Sequence, residues 1–171
     1  VSVVYSTSRA FAALKTDGSV VTWGDSSYGG DSSSVSSSLS NGVSVVYSTF
    51  YAFAALKTDG SVVTWGDSDY GGDSSSVSSS LSDGVSVVYS TSGAFAAWKT
   101  DGSVVTWGSS SSGGDSSSVS SSLSDGVSVV YSTAGAFAAL KTDGSVVTWG
   151  ASDWGGNSSS VSVSYTHLTL P

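Results

Sequence analysis

The chain has no cysteine, methionine, glutamate, glutamine or isoleucine, and it holds one histidine and one proline. Without cysteine it can form neither disulfides nor thiolate metal sites, and either redox compartment suits it. Without glutamate all 13 acids are aspartates, residues that favour turns and caps over helix interiors. His167 and Pro171 both stand in the final stretch, residues 163–171, so the rest of the chain lacks an imidazole to act as base or metal ligand. Basic residues are scarce: Arg9 and the four lysines Lys15, Lys57, Lys99 and Lys141, for a net charge of −8. An acidic chain with no basic stripe argues against nucleic acid and against anionic membrane surfaces. No apolar run approaches the roughly 18 residues of a membrane span. The sequence starts at Val1, inside a repeat and without an initiator methionine or signal peptide, and so reads as a piece of a longer protein.

What is present is one unit, written four times. The stretch AFAALKTDGSVVTWG occupies residues 10–24 and returns at 52–66, 94–108 and 136–150, an offset of 42 residues each time. A single position changes within it, where Leu14, Leu56 and Leu140 become Trp98. Asp-Gly between two apolar runs is a hairpin signal, because glycine accepts a positive φ without steric cost. Val-Val-Thr-Trp is β-branched and aromatic, as a strand requires. Both faces of the predicted hairpin are apolar, so both need cover, which stacked neighbours supply. The VSVVYST that opens each unit predicts a strand before the hairpin, making a three-stranded antiparallel meander. The units are expected at 1–42, 43–84, 85–126 and 127–162, in a single repeat domain over 1–162.

After each Trp-Gly comes a glycine-rich turn and then a serine-rich run, DSSSVSSSL at 31–39. Asp31 suits an N-cap, and Val35 and Leu39 lie four apart on one face, which suggests a two-turn helix. Serine is a mediocre helix former, so an outer strand around Val35 or plain loop stays open as an alternative. Asn157 stands where the other units have Asp31, Asp73 and Asp115, which favours a cap over an ionic role.

Candidate chemistry is thin. Residues 67–73, DSDYGGD, have the closely spaced carboxylates of a calcium loop, but the sister loops lose acids at Ser109, Ser111, Ala151 and Asn157, which favours turn plus cap. The serines have no base to activate them. The lysines read as solvated strand ends. Trp23, Trp65, Trp107 and Trp149 are expected to be buried between units, together with Val21, Leu14 and their equivalents. No cofactor, metal or catalysis is expected.

The residues Ala13-Leu14, Asp17-Gly18, Val20 and Trp23-Gly24, with their counterparts in each later unit, resemble the regulator of chromosome condensation repeat. That resemblance implies β-propeller blades. The family's Gly-Gln-Leu-Gly-like string is replaced here by Asp-Ser-Ser-Tyr-Gly-Gly-Asp, and the unit is shorter than the family's. Members include a chromatin-bound nucleotide exchange factor, ubiquitin-ligase segments and a plant UV-B photoreceptor; the resemblance carries over none of those activities. Residues 163–171, VSYTHLTLP, resemble the translation of a sequencing-library adapter, which implies a non-native tail and removes functional weight from His167. The expected fold is mostly β: a propeller-like array of four units in an open or incomplete ring, each a meander with a short helix or turn. Its end layers are expected to carry Val1, Val3 and Tyr5 on one side and Val146, Val147 and Trp149 on the other, and to self-associate.

Differences between near-identical units concentrate in two places. One is the link after the first strand: Ser8-Arg9, Phe50-Tyr51, Ser92-Gly93, Ala134-Gly135. The other is the turn after Trp-Gly: Ser27-Tyr28, Asp69-Tyr70, Ser111-Ser112, Asp153-Trp154. Drift at positions free of packing is one explanation. The other is a recognition surface, since Tyr, Trp and Arg dominate hot spots. On that reading Arg9, Tyr28, Phe50, Tyr51, Asp69, Tyr70 and Trp154 are the candidate partner-binding residues. The functional expectation is a non-enzymatic protein-interaction scaffold from a longer extracellular or surface protein. The alternative is a glycan-binding propeller that stacks sugars on the loop aromatics.

Overall fold

A computed structural model describes residues 1–161. The adapter-like tail and His167 lie outside the described residues. Four separate three-stranded antiparallel sheets follow one another along the chain. The first is β1 (Val3–Ser6), β2 (Ala10–Leu14) and β3 (Val20–Gly24). The second is β4 (Val43–Ser48), β5 (Ala52–Lys57) and β6 (Val62–Gly66). The third is β7 (Val85–Ser90), β8 (Ala94–Lys99) and β9 (Val104–Gly108). The fourth is β10 (Val127–Ser132), β11 (Ala136–Lys141) and β12 (Val146–Gly150). Among the described residues the sheets form an open array with no closed ring.

Each hairpin is closed by its aspartate. Asp59 Oδ1 accepts the Ser61 N–H at 2.9 Å and the Ser61 hydroxyl at 2.6 Å, and Asp17, Asp101 and Asp143 repeat the arrangement. Those serine hydroxyls, then the serine amides, hold the four carboxyls below the ordinary aspartate value.

The register decides which residues share a face. Val4, Ala13 and Val21 lie across from one another, as do Ser6, Phe11 and Trp23, which puts them on one side of the first sheet. Tyr5, Ala12 and Thr22 lie on the other side with Val3, Leu14 and Val20. Each interface joins opposite kinds of face. Ala10, Ala12, Leu14 and Leu39 of the first unit pack against Val46, Phe53, Ala55 and Trp65 of the second. The same set recurs between the second and third units and between the third and fourth.

Identical residues therefore report what a neighbour is worth. Trp65, Trp107 and Trp149 are each 3% exposed, whereas Trp23, in the first of the four described units, is 47% exposed. Phe53 is fully buried and its counterpart Phe11 is 45% exposed. The expected burial of the tryptophans thus holds for three of the four. Of the expected end layers, Val1 and Val3 are exposed, but the rest needs correcting. The uncovered face at the first unit carries Val4, Phe11, Val21 and Trp23, while Tyr5 packs inward against the second unit and Trp149 is buried. Two apolar faces leave alternation unable to say which one points outward.

The indole also makes a polar contact across each interface. Trp65 Nε1–H donates to the Gly29 carbonyl at 3.0 Å, Trp107 to Gly71 at 3.1 Å and Trp149 to Gly113 at 3.0 Å. Glycine is required there. Gly29 has φ +96°, and a Cβ on it would lie 2.6 Å from the Phe53 ring. The lysines are not merely solvated: Lys57, Lys99 and Lys141 Nζ donate to the carbonyls of Ser38, Ser80 and Ser122 in the preceding unit. Trp98, the one exception in the repeated stretch, donates from Nε1 to the Val127 carbonyl of the next unit at 2.8 Å.

First strands of successive units lie against one another, whereas each later third strand packs on the segment that follows the preceding one. The two-turn helix is corrected to a 3₁₀ turn at Ser33–Val35 and Ser75–Val77, and in the third unit to Ser117–Leu123 broken by non-helical Val119. Asp31 Oδ1 takes the Ser33 N–H at 2.9 Å, and Asp73, Asp115 and Asn157 act alike. This local bond competes with a regular helix. Leu39 is nonetheless buried in the interface, as the spacing from Val35 suggested.

Two outcomes are expected. Trp65→Ala should cost about 3–5 kcal/mol in urea unfolding. Trp23→Ala, measured in dilute solution, should cost less than about 1 kcal/mol; equal costs would show that inter-unit layers do not hold the fold. A depressed aspartate value means the hairpin carboxylates stabilise the fold above about pH 4 and lose that contribution as the pH falls through their folded values. Replacing Asp17, Asp59, Asp101 and Asp143 by Asn should make the acid limb of the melting-temperature profile shallower, and an unaltered limb would rule these groups out as its source.

Candidate functional site

The two variable places come together at one end of the sheets, and a threonine that the sequence reading passed over is what joins them. Thr49 Oγ1 accepts the Ala52 N–H at 3.0 Å and donates to the Tyr70 carbonyl at 3.0 Å. Thr7, Thr91 and Thr133 hold the carbonyls of Tyr28, Ser112 and Trp154 in the same way, at 3.0, 2.8 and 2.8 Å. Each hydroxyl ties the link to the turn 21 residues later. The backbone of the variable turn residue is fixed while its side chain is left to vary. The signal was in the sequence, a threonine constant at every link, but a hydroxyl bond to a residue so distant has no local signature.

The turn itself is shaped by its cap. Asp25 and Asp67 accept the N–H groups of Ser27 and Asp69 at the start of a 3₁₀ turn. Ser109 and Ala151 occupy the same position with nearly the same backbone angles and no such bond. The shape therefore survives loss of the carboxylate. Among the described residues no three acidic or histidine side chains converge as metal ligands.

Above these anchors the aromatic side chains form a strip. Tyr51 lies between Tyr28 and Tyr70, edge to face with both, at 4.7 and 4.4 Å between ring centroids. The Arg9 guanidinium sits 5.0 Å from the Tyr28 ring centroid, a cation–π distance. Phe50 meets Tyr51 at 6.2 Å and is itself exposed. At the far end Tyr70 lies over Gly93, where a Cβ would come within 3.2 Å of its ring. Arg9, Tyr28, Phe50, Tyr51 and Tyr70 are thus brought together, although they come from two units. Asp69 stands exposed beside Tyr70 in the same turn. Trp154 lies apart: its ring covers Gly135, where a Cβ would come within 2.9 Å, and with Tyr131 it borders a small depression.

Phe50 also borders a second feature. The links Ser6-Thr7-Ser8, Ser48-Thr49-Phe50 and Ser90-Thr91-Ser92, with Thr133 and Ala134, line a hollow of about 500 Å³. Its wall is a hydrogen-bond ladder between equivalent residues. Ser8 N–H donates to the Phe50 carbonyl at 2.9 Å, Phe50 to Ser92 at 2.9 Å and Ser92 to Ala134 at 2.8 Å. The hollow offers hydroxyls and one aromatic ring.

No family model and no curated protein matches the chain. Solved structures do. It is similar to human WBSCR16, with 22% identity, 86% of this chain and 47% of that chain covered, and a TM-score of 0.50. It is similar to Prp20p from Saccharomyces cerevisiae, a structure described with its binding to Gsp1p and histones, with 16% identity, 86% and 43% coverage and a TM-score of 0.58. Prp20, named yeast RCC1, is also solved bound to Kap60. The ectodomain of the Physcomitrella patens receptor kinase CR4 matches with 16% identity, 90% and 42% coverage and a TM-score of 0.56. The chain spans less than half the length of each of these proteins. At such identities the likeness is one of fold, an RCC1-like propeller-repeat array, as the residue pattern implied.

If the strip is one packed body, Tyr51 and Tyr70 are energetically coupled. A double-mutant cycle with Tyr51→Ser and Tyr70→Ser should return a coupling of about 0.5–1.5 kcal/mol. Strict additivity would mean the two rings pack independently.

Proposed function

We propose that the array is a non-enzymatic scaffold that binds a protein segment along the strip Arg9, Tyr28, Phe50, Tyr51 and Tyr70, with Asp69 at its edge. One observation carries this reading: the aromatic differences of the first two units meet in one contiguous strip, on turns whose backbone carbonyls are tied by threonine hydroxyls. A rigid frame with variable aromatics lowers the ordering cost of binding. Tyrosine and arginine are also the residues that supply most interface energy. The fold neighbours give general support, since yeast Prp20p is described with its binding to Gsp1p and histones and is solved bound to Kap60. The net charge of −8 favours encounter with basic segments. No specific observation favours the glycan alternative, because Tyr28, Tyr51 and Tyr70 pack against one another rather than standing as separate platforms.

Selection of a random displayed peptide library on the immobilised chain tests the proposal. Enriched peptides should bind Tyr51→Ser about tenfold more weakly, a loss of about 1.4 kcal/mol, with the fold retained by circular dichroism at the temperature of the assay and Trp154→Ser unaffected. Peptides that bind Tyr51→Ser and Phe50→Ser as well as the parent would overturn it. A glycan-array hit with no peptide enrichment would favour the alternative instead.

A further inference from the structure

The main chain beneath the aromatic strip is already committed. The N–H groups of Arg9 and Tyr51 donate to the hydroxyls of Thr7 and Thr49, and that of Phe50 donates to the Ser92 carbonyl. Those of Tyr28 and Tyr70 donate to the carbonyls of Asp25 and Asp67, and that of Asp69 to the Asp67 carboxylate. The Tyr28 and Tyr70 carbonyls are in turn taken by threonine hydroxyls. A segment that adds itself as a strand needs a row of free main-chain donors, and none of these six is free. What the strip does offer is rings and hydroxyls. Tyr28, Tyr51 and Tyr70 are only partly covered, and Phe50 is 57% exposed. Among the described residues no hydrogen bond engages the phenol hydroxyls of these three tyrosines.

The spacing of the rings adds a second constraint. Tyr28 and Tyr70 hold equivalent places in successive units. Each meets Tyr51 edge to face, at centroid distances of 4.7 and 4.4 Å. The two equivalent rings therefore stand no more than about 9 Å apart, which is one turn of a polyproline II helix, three residues at about 3.1 Å each. A chain in that conformation brings the same face back every third residue. It has no internal hydrogen bonds, so its carbonyls are open to the phenols. Charge adds a third constraint. The turns that carry Tyr28 and Tyr70 also carry Asp25, Asp67 and the exposed Asp69. Arg9, the one cation of the strip, already lies against the Tyr28 ring.

We infer, on the protein-binding role proposed above, that the segment held along the strip is proline-rich, in polyproline II conformation, with a basic side chain beside Tyr70. Prolines three residues apart pack on Tyr28 and Tyr70, with Tyr51 between them, and the phenol hydroxyls donate to carbonyls of the segment. Proline has no N–H, so it forfeits nothing on a surface whose Tyr28 and Tyr70 carbonyls are already taken. A polyproline II segment is stiff before it binds, which keeps the ordering cost low on both sides. Asp67 and Asp69 face the basic side chain, a pairing that gives orientation and on-rate more than affinity.

Isothermal titration of the full chain with a hexaproline peptide carrying an arginine at each end is the test. A glycine-serine peptide of the same length, with the same end arginines, reports charge attraction alone. The proline peptide should bind about tenfold more tightly than this control, or better. Tyr28→Ser and Tyr70→Ser should each weaken it about tenfold, and Trp154→Ser not at all. Should a serine variant lose its circular dichroism, Tyr28→Phe and Tyr70→Phe keep the rings and should each weaken binding about threefold through the lost hydroxyl. Asp69→Asn should weaken the arginine-bearing peptide about threefold and leave an arginine-free hexaproline unchanged. Equal binding of the proline and control peptides overturns the inference, as does proline binding that survives the ring variants. Unchanged binding of the arginine-bearing peptide to Asp69→Asn overturns the basic end. The displayed library separates the two proposals. Enriched peptides that lack prolines three apart, yet are lost with Tyr51→Ser, overturn the polyproline form and leave the protein-binding role standing, whereas no enrichment overturns both.

Discussion

Every interface in this array depends on an indole laid over a glycine. The ring of Trp65 stacks on Phe53 at 5.2 Å and its N–H reaches back to the Gly29 carbonyl. The approach is close enough that any side chain on Gly29 would strike Phe53. One contact thus joins the third strand of one sheet to the turn behind the third strand of the sheet before it. It ties the third strands to the turns before them, while the ladder through Ser8, Phe50, Ser92 and Ala134 ties the links to one another. The two ties together, with the serine-rich segment between, hold each sheet against the next.

The local plan was legible in the sequence. Asp-Gly marked each hairpin, β-branched runs marked the strands, and the 42-residue offset marked the units. The faces were not legible. Alternation tells an observer which side is buried only when one side is polar, and here Val4, Phe11 and Trp23 are as apolar as Leu14 and Val20. The spacing of Val35 and Leu39 suggested a helix because both are anchored in the interface, Leu39 fully and Val35 in part. The serines between them follow the local bond from Asp31 instead. Lysine contacts with carbonyls 19 residues earlier were beyond reach, since nothing near Lys57 in the chain announces them.

At the candidate surface the residue types pointed to recognition, but their grouping came only with the fold. Tyr51 touches a ring of its own unit and one of the unit before, so no single repeat contains the strip. Gly93 and Gly135 are the complement of that arrangement: they are small where Tyr70 and Trp154 lie across them. Where the link residue is bulky, as at Tyr51, the neighbouring rings stand edge to face with it instead.

Because every interface residue recurs at the same interval, the array has no privileged phase. A splice between equivalent points of any two units leaves each tryptophan opposite a glycine and each lysine opposite a serine carbonyl. Copy number is therefore a free variable of this architecture, able to change the length of the array without changing the chemistry of its joints. The aromatic strip is where the cut point shows. Its rings belong to neighbouring units, so a splice falling between residue 28 and residue 51 would rewrite the surface while the frame beneath stayed as it was.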